Sequence, residues 1–117
     1  MKSVLVVDDE EMVREAISGI LSLSGYDVIQ AKDGLDGLLK YQASRAKIIM
    51  AIIDINMPMM DGAMLSNVIK GADPLTKIIL ISGHVEQPPP EANADAFLLK
   101  PFLSKDLQAL ILQVLAA

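Results

Sequence analysis

The sequence contains no cysteine, a single histidine and no run of more than two basic residues. The lack of cysteine excludes disulfides, thiolate catalysis and cysteine–zinc sites. A formal net charge of −5 argues against nucleic acid as a direct ligand and against a basic membrane-binding patch. No apolar stretch approaches the length of a membrane span, and the N-terminus has no signal-peptide pattern, so we expect a cytoplasmic protein without membrane association.

The composition is that of one folded domain. The chain has 117 residues, of which 52% are hydrophobic and 21% charged. This balance is typical of a globular protein rather than a disordered one. The length suits one compact core, so we expect residues 1–117 to form a single domain.

Five apolar runs predict β-strands. They cover residues 4–7, 26–31, 48–53, 77–81 and 96–99. The third run is rich in isoleucine and is apolar throughout, which is typical of a strand buried on both faces of a parallel sheet. It ends abruptly at Asp54, and Pro58 prevents its extension.

Helical patterns separate the strands. The first is closed by Gly25, the second carries Leu35, Leu38 and Leu39 as its apolar stripe, and the last begins with Ser104 as a candidate cap. Alternating strands and helices predict a flavodoxin-like, doubly wound, five-stranded parallel sheet of order 2-1-3-4-5. Three successive prolines at 88–90 cannot lie inside a helix, so we expect the fourth helix to be shortened or missing.

Polar residues follow four of the predicted strands. The first strand ends in Asp8 and Asp9, the third in Asp54, the fourth in Ser82 and the fifth in Lys100. Parallel strands bring their carboxyl ends to one edge, where ligands bind in this kind of sheet. The gathered carboxylates repel one another, which favours Mg²⁺ as a counter-ion. The alternatives are a protonated or solvated acid cluster, a plain salt bridge at Lys100 and a turn serine at Ser82.

A carboxylate, a metal, an ammonium group and a hydroxyl together suit phosphoryl transfer. An Asp can accept a phosphoryl group covalently, and the other groups can neutralise the phosphoryl oxygens. A flavin- or nucleotide-binding function is disfavoured, because no glycine-rich loop follows the first strand.

These residues resemble the receiver domains of two-component response regulators, of the type seen in single-domain chemotaxis regulators. The resemblance spans nearly the whole chain in the correct order. It is carried by Asp8-Asp9, Asp54, Met57-Pro58, Asp61-Gly62, Ser82 and Lys100-Pro101-Phe102.

The resemblance implies a phosphorylation-dependent signalling switch. Asp54 would accept a phosphoryl group from a histidine kinase or a histidine phosphotransfer protein. Lys100 and Ser82 would contact that group, Ser82 and Phe97 would act as the switch pair, and the Lys100–Pro101 peptide would be cis. Mg²⁺ would be held by Asp9, Asp54 and the main-chain carbonyl of Asn56, and by Asp8 through a water molecule.

Several alternatives to this function remain. The chain could be a receiver module from a hybrid sensor kinase or a larger response regulator. An aspartyl-nucleophile phosphohydrolase would need a second Asp two residues after the first, where this chain has Asn56. We therefore expect no enzymatic turnover beyond self-phosphorylation from phosphodonors and autodephosphorylation. His84 is expected to be an ordinary exposed loop residue.

Overall fold

A computed structural model describes residues 2–116 and shows a five-stranded, all-parallel sheet of order β2-β1-β3-β4-β5. This confirms the predicted fold and strand order. Among residues 2–116, no helix combines the length and apolarity that crossing a bilayer requires. The strands are β1 (Ser3–Val7), β2 (Asp27–Ala31), β3 (Ile48–Asp54), β4 (Lys77–Ser82) and β5 (Ala96–Leu99). The helices are α1 (Glu11–Leu23), α2 (Gly34–Ser44), α3 (Gly62–Ala72) and α4 (Ser104–Ala116).

The sheet separates two hydrophobic layers. Leu5 and Val7 of β1 point into the layer that contains Leu65 and Ile69 of α3. The alternate residues of β1 point into the layer formed with α1 and α4. This alternation follows from the two-residue period of a strand, and it explains why the central strands are apolar throughout.

No helix forms between β4 and β5 in the described chain, as the triple proline predicted. Residues 83–95 instead run as an irregular segment with one turn, in which the Ala92 N–H donates to the carbonyl of Pro89 at 3.0 Å. The prolines themselves lack the N–H groups that a helix would need. The sheet therefore keeps its five strands while one covering helix is replaced by extended chain.

The predicted apolar stripe of α2 is partly wrong. Leu35 and Leu39 are 41% and 57% exposed, whereas Gly34, Gly37 and Tyr41 face the core. A Cβ on Gly37 would lie only 3.0 Å from side-chain atoms of Leu65 and Val7. A Cβ on Gly34 would collide with the main-chain carbonyl of Met60, so helix α2 packs through its glycine face.

The predicted cap of the last helix is also wrong. Ser104 is already the first helical residue, and the Leu103 carbonyl accepts the N–H of Leu107 at 3.2 Å. The Asp106 side chain accepts the N–H of Leu103 at 3.2 Å. The Asp106 carboxylate, in the first turn of α4, thus accepts the N–H of the residue that precedes the helix, as the acidic residue of a capping box does.

Candidate functional site

The carboxyl ends of the central strands carry the polar residues of the candidate site. Asp8 follows β1, Asp54 ends β3, and Ser82 ends β4, whereas Lys100 follows β5. The strand register brings these ends level, since Val7 pairs with Ile53 and Asp54 pairs with Ile81. Asp8, Asp54 and Ser82 are buried at this edge, whereas Asp9 is exposed.

Four carboxylates converge at this edge. Asp8, Asp9, Glu10 and Asp54 each place one oxygen within 4.8 Å of the others. The structure therefore brings together the three aspartates identified from the sequence and adds Glu10, which was not among the predicted site residues. Glu10 is the N-cap residue of α1, but its side chain makes no capping hydrogen bond.

Lys100 lies among these carboxylates. Its Nζ is 2.9 Å from Glu10 Oε1, 3.0 Å from Asp8 Oδ2 and 3.5 Å from Asp54 Oδ2. The lysine side chain is 13% exposed, so its charge is only weakly screened by water. One ammonium group therefore offsets several negative charges at the sheet edge.

The local environment shifts the protonation equilibria of the buried groups. Burial raises the pKa of the Asp8 carboxyl despite the hydrogen bond that its carboxylate accepts from the Glu10 N–H. Burial also raises the pKa of Asp54, and the neighbouring charge of Asp8 raises it further. Burial tends to lower the pKa of Lys100, but its ion pairs with Glu10 and Asp8 outweigh this and raise it. The site therefore holds four carboxylates around the ammonium of Lys100, which offsets only part of the repulsion among them.

The oxygen Asp8 Oδ2 is the atom that best fits a metal ion. It is buried and accepts no hydrogen bond, and its charged partner is Lys100 Nζ at 3.0 Å. That single ammonium is shared with Glu10 and Asp54, so it only partly offsets the burial of the Asp8 charge, and a divalent cation would offset it further. Together with the oxygens of Asp9 and Asp54, this atom forms the hard, all-oxygen donor set that Mg²⁺ prefers.

Asn56 connects the end of β3 to Ser82. Its main-chain N–H donates to Asp54 Oδ1 at 3.3 Å, and its side-chain Nδ2 donates to Ser82 Oγ at 3.2 Å. Ser82 Oγ also accepts the main-chain N–H groups of His84 at 3.0 Å and Val85 at 3.2 Å. The serine is therefore bonded to the segment that follows it.

The remaining predicted site residues lie near this network. Phe97 of β5 is half-buried and packs against the core layer of α2 and α3, together with Ala92 and Ala94. The Lys100–Pro101 peptide bond is cis, as the resemblance implied. His84 is exposed, as expected for a loop residue.

The loop after β3 is shaped by Gly62 and Met59. A Cβ on Gly62 would collide with the main-chain carbonyl of Asp54 and with Ile55, so only glycine allows α3 to begin this close to β3. Met59 has a φ of 73°, which is unfavourable for a residue with a side chain. The sequence signal for Gly62 was the Asp61-Gly62 pair, whereas nothing in the sequence indicated the left-handed conformation of Met59.

Comparisons with known proteins agree with this geometry. The family profile described as response regulator receiver domain matches residues 4–112. A probable transcriptional regulator, ycf27, from Cyanophora paradoxa is 32% identical over 117 residues, which cover 97% of this chain and 48% of that protein. The chain thus spans about half the length of these curated relatives.

Solved structures show the same fold. The CheX–CheY–BeF₃–Mg²⁺ complex from Borrelia burgdorferi matches with a TM-score of 0.89 and 28% identity, covering 97% of this chain and 89% of that one. The response regulator TrrA from Thermotoga maritima, in complex with Mg²⁺–BeF, matches with a TM-score of 0.87 and 28% identity. That match covers 97% of this chain and 99% of that one.

Proposed function

This chain belongs to the response regulator receiver domain family and is a phosphorylation-dependent signalling module, and we propose that Asp54 is the residue that receives the phosphoryl group. The observation that carries the proposal is the position of its carboxylate. Asp54 ends the central strand, is buried among carboxylates and lies 3.5 Å from the ammonium of Lys100. Such a carboxylate can attack phosphorus while a cation and an ammonium group neutralise the phosphoryl oxygens.

The chemical step is a transfer between two nucleophiles. The phosphorus–nitrogen bond of a phosphohistidine on the donor protein breaks, and a phosphorus–oxygen bond to the Asp54 carboxylate forms. The imidazole of the donor leaves with the bonding electron pair. Lys100 is placed to pair with a phosphoryl oxygen once the group is on Asp54, because its Nζ already lies close to that carboxylate.

We propose that Asp8, Asp9, Asp54 and the main-chain carbonyl of Asn56 hold Mg²⁺. The buried oxygen of Asp8 and the convergence of the three aspartate oxygens support this ligand set. When bound, the ion would reduce the repulsion among these carboxylates and neutralise charge that develops on the transferred group. The relatives crystallised with Mg²⁺ and a beryllium fluoride are consistent with such a site.

The proposed switch residues are Ser82, Lys100 and Phe97. A phosphoryl group adds about 1.5–2 negative charges to Asp54, which offers new hydrogen-bond acceptors to the hydroxyl of Ser82 and the ammonium of Lys100. The half-buried ring of Phe97 is then free to change its packing beside β4. The phosphoryl group thereby favours one of two conformations by binding it more strongly.

The proposed partner is a histidine kinase or a histidine phosphotransfer protein. We place the interaction in the cytoplasm, without direct contact to nucleic acid or membrane, and treat residues 1–117 as one receiver unit. A second candidate is a receiver that works within a larger regulator or hybrid kinase. The curated relatives motivate it, because the matched region is about half of each, whereas some solved receiver structures match over nearly their whole length.

A labelling experiment tests the acceptor. Purified protein is incubated with acetyl phosphate and Mg²⁺, and the bound phosphoryl group is measured by intact mass spectrometry. We expect labelling of the wild type, none of Asp54→Asn, and normal labelling of the control Asp27→Asn, which lies at the opposite end of the strands in β2. Full labelling of Asp54→Asn would overturn the assignment. Labelling of the wild type would also establish self-phosphorylation from a small donor.

A further inference from the structure

Arg14 lies in the first turn of α1 and reaches back to the loop that carries Asp8 and Asp9. Its Nη1 donates to the main-chain carbonyl of Asp8 at 2.8 Å, and its Nε donates to Gln30 Oε1 at 3.1 Å. Arg14 is half-buried, and Gln30 belongs to β2. One guanidinium group therefore joins the end of β1, the start of α1 and the strand β2.

The Asp8 carbonyl has no donor from the neighbouring strand. The Asp8 N–H still bonds to the Ala31 carbonyl at 3.2 Å, in continuation of the ladder between β1 and β2. In a parallel pair, the next donor from β2 would be the N–H of Asp33. Asp33 is instead the N-cap of α2, where its side chain accepts the N–H of Asp36. Arg14 therefore supplies the donor that β2 does not provide.

This bond holds one of the two peptide units that flank Asp9. The Asp8 carbonyl and the Asp9 N–H share one planar unit, so a bond to the carbonyl orients the whole unit. The unit after Asp9 is held by the Glu10 N–H, which donates to Asp8 Oδ1 at 2.8 Å. Within residues 2–116, Asp9 itself makes no hydrogen bond through its main chain or its side chain. The direction of its side chain therefore depends on the bonds of its neighbours.

We infer that Arg14 is a positioning residue, which holds the Asp8–Asp9 peptide so that the Asp9 carboxylate points toward the other carboxylates of the site. The inference rests on the proposed function, in which Asp9 is a Mg²⁺ ligand. Although Asp9 is exposed, one of its oxygens lies within 4.8 Å of oxygens of Asp8, Glu10 and Asp54. Like charges disfavour this direction in the metal-free protein, so a fixed main chain has to maintain it.

The guanidinium group suits this task because it can bind two acceptors in fixed directions. Its N–H groups lie in one rigid plane, so Arg14 can bond to the Asp8 carbonyl and to Gln30 at the same time. The main chain of Gln30 is also held, because its carbonyl accepts Lys40 Nζ at 2.7 Å. A lysine at position 14 would keep the charge but not this planar arrangement.

The sign of the effect on Mg²⁺ affinity distinguishes positioning from a simple charge effect. A cation near the acidic edge repels Mg²⁺, so the loss of its charge alone would make Mg²⁺ bind more tightly. The loss of a residue that orients a metal ligand weakens binding, typically by about 10–100-fold. We therefore expect Arg14→Met to raise the Mg²⁺ dissociation constant by about tenfold.

Calorimetric titration of the full chain with MgCl₂ compares this variant with three others. Arg14→Lys keeps the charge but loses the planar pair of bonds, so the constant should rise by about threefold. Gln30→Met removes the second acceptor and should raise the constant about twofold, whereas Gln30→Glu keeps an acceptor and should raise it less. The control Lys40→Met removes a cation that contacts Gln30 and not Asp8, and it should change the constant less than about twofold.

A double-mutant cycle tests whether Arg14 acts through Asp9. If the arginine works by orienting the Asp9 carboxylate, its removal matters little once that carboxylate is gone. Adding Arg14→Met to Asp9→Asn should therefore raise the dissociation constant by less than about twofold, although the single substitution raises it about tenfold. Additive effects in the cycle would show that Arg14 does not act through Asp9, and the inference would fail.

A metal-free measurement separates this inference from the proposed function. The ¹H–¹⁵N heteronuclear NOE of the Asp9 amide, measured with a chelator, reports the order of this peptide without Mg²⁺ or a phosphodonor. We expect the NOE to fall in Arg14→Met and to stay unchanged in Lys40→Met. An unchanged NOE in Arg14→Met would overturn the inference.

The two proposals can therefore fail independently. If the wild type binds no Mg²⁺, the proposed ligand set is wrong, and a fall of the NOE in Arg14→Met still establishes that Arg14 holds the Asp9 peptide. If the wild type binds Mg²⁺ and is labelled at Asp54 while Arg14→Met binds Mg²⁺ equally well or more tightly, the positioning role is wrong and the proposed function stands.

Discussion

The ammonium of Lys100 lies 2.9 Å from the carboxylate of Glu10, nearer than its 3.5 Å distance from Asp54. Glu10 belongs to the turn that leads into α1 and is largely exposed, whereas Asp54 is buried at the end of the central strand. In this conformation Lys100 therefore pairs more closely with Glu10 than with Asp54, the proposed phosphoryl acceptor. A phosphoryl group on Asp54 would compete with Glu10 for the same ammonium.

The pairing of Glu10 predicts that it is not a Mg²⁺ ligand. Because its carboxylate is bonded to Lys100, Glu10→Gln should change the Mg²⁺ dissociation constant by less than about threefold, as expected for an exposed charge. Asp9→Asn should raise that constant by at least about tenfold, since a ligand is lost. Calorimetric titration with MgCl₂ measures both. Equal weakening in the two variants would place Glu10 in the ligand set.

Neutralising the acceptor should stabilise the metal-free protein. Burial and the charge of Asp8 raise the pKa of Asp54, so the folded state at neutral pH carries a carboxylate that the unfolded state accommodates more easily. We expect Asp54→Asn to increase the free energy of unfolding by about 1 kcal/mol at pH 7 in the presence of a chelator. Denaturation with urea provides the measurement.

The effect of Asp54→Asn on the free energy of unfolding should depend on pH. A carboxyl whose folded-state pKa is raised favours folding below its unfolded pKa of about 3.9, and this contribution is lost as the pH rises through the folded-state pKa. The difference between wild type and Asp54→Asn should therefore vanish below about pH 4 and be complete at neutral pH. Added Mg²⁺ should reduce this difference in stability, because it binds the folded wild type more tightly than the variant and so stabilises the wild type more. A difference that grows as the pH falls would contradict this explanation.

Met59→Gly should stabilise the loop after β3. Met59 has a φ of 73° and is 78% exposed, so glycine removes a conformational penalty and little packing is lost. The left-handed conformation costs about 1–2 kcal/mol for a residue with a side chain, part of which is offset by the greater flexibility of unfolded glycine. We expect a net gain of about 0.5–1 kcal/mol in thermal or urea unfolding. Met59→Ala is the control and should show no gain, because alanine keeps a Cβ.

Two glycines of α3 should respond oppositely to alanine. A Cβ on Gly62 would collide with the Asp54 carbonyl, so Gly62→Ala should lower the free energy of unfolding by at least about 2 kcal/mol and reduce labelling of Asp54. A Cβ on Gly71 meets nothing within 4 Å, so Gly71→Ala should raise it by about 0.5–1 kcal/mol through helix propensity alone. Urea denaturation of both variants checks the pair, and similar effects would show that the contact with Asp54 is unimportant.

The sequence predicted the sheet and the main site residues for the same physical reason. Strands buried on both faces must be apolar, so β1, β3 and β4 were visible as apolar runs that end at Asp8, Asp54 and Ser82. Parallel strands joined by helical crossovers bring those ends to one edge. The triple proline likewise excluded a helix by local chemistry, without reference to the rest of the fold.

Hydrophobic periodicity predicted the buried face less reliably in α2, a helix that packs through glycine. The leucines of α2 indicated an apolar face, yet Leu35 and Leu39 are exposed because Gly34 and Gly37 allow a closer contact on another face. A small residue carries no hydrophobic signal, although it can determine how a helix packs.

The sequence by itself thus predicted the acidic edge and a shortened or missing fourth helix, because each depends on residue type along a local stretch. The strand order was predicted from the alternation of strands and helices, which is typical of a doubly wound fold. Only the tertiary structure decided which partner each polar group has. The pairing of Lys100 with Glu10, the bond from Asn56 to Ser82 Oγ and the bonds of Asn67 to Glu91 and Asn93 join distant parts of the chain. Such contacts depend on how helices and loops dock on the sheet, and no periodic pattern in the chain records that.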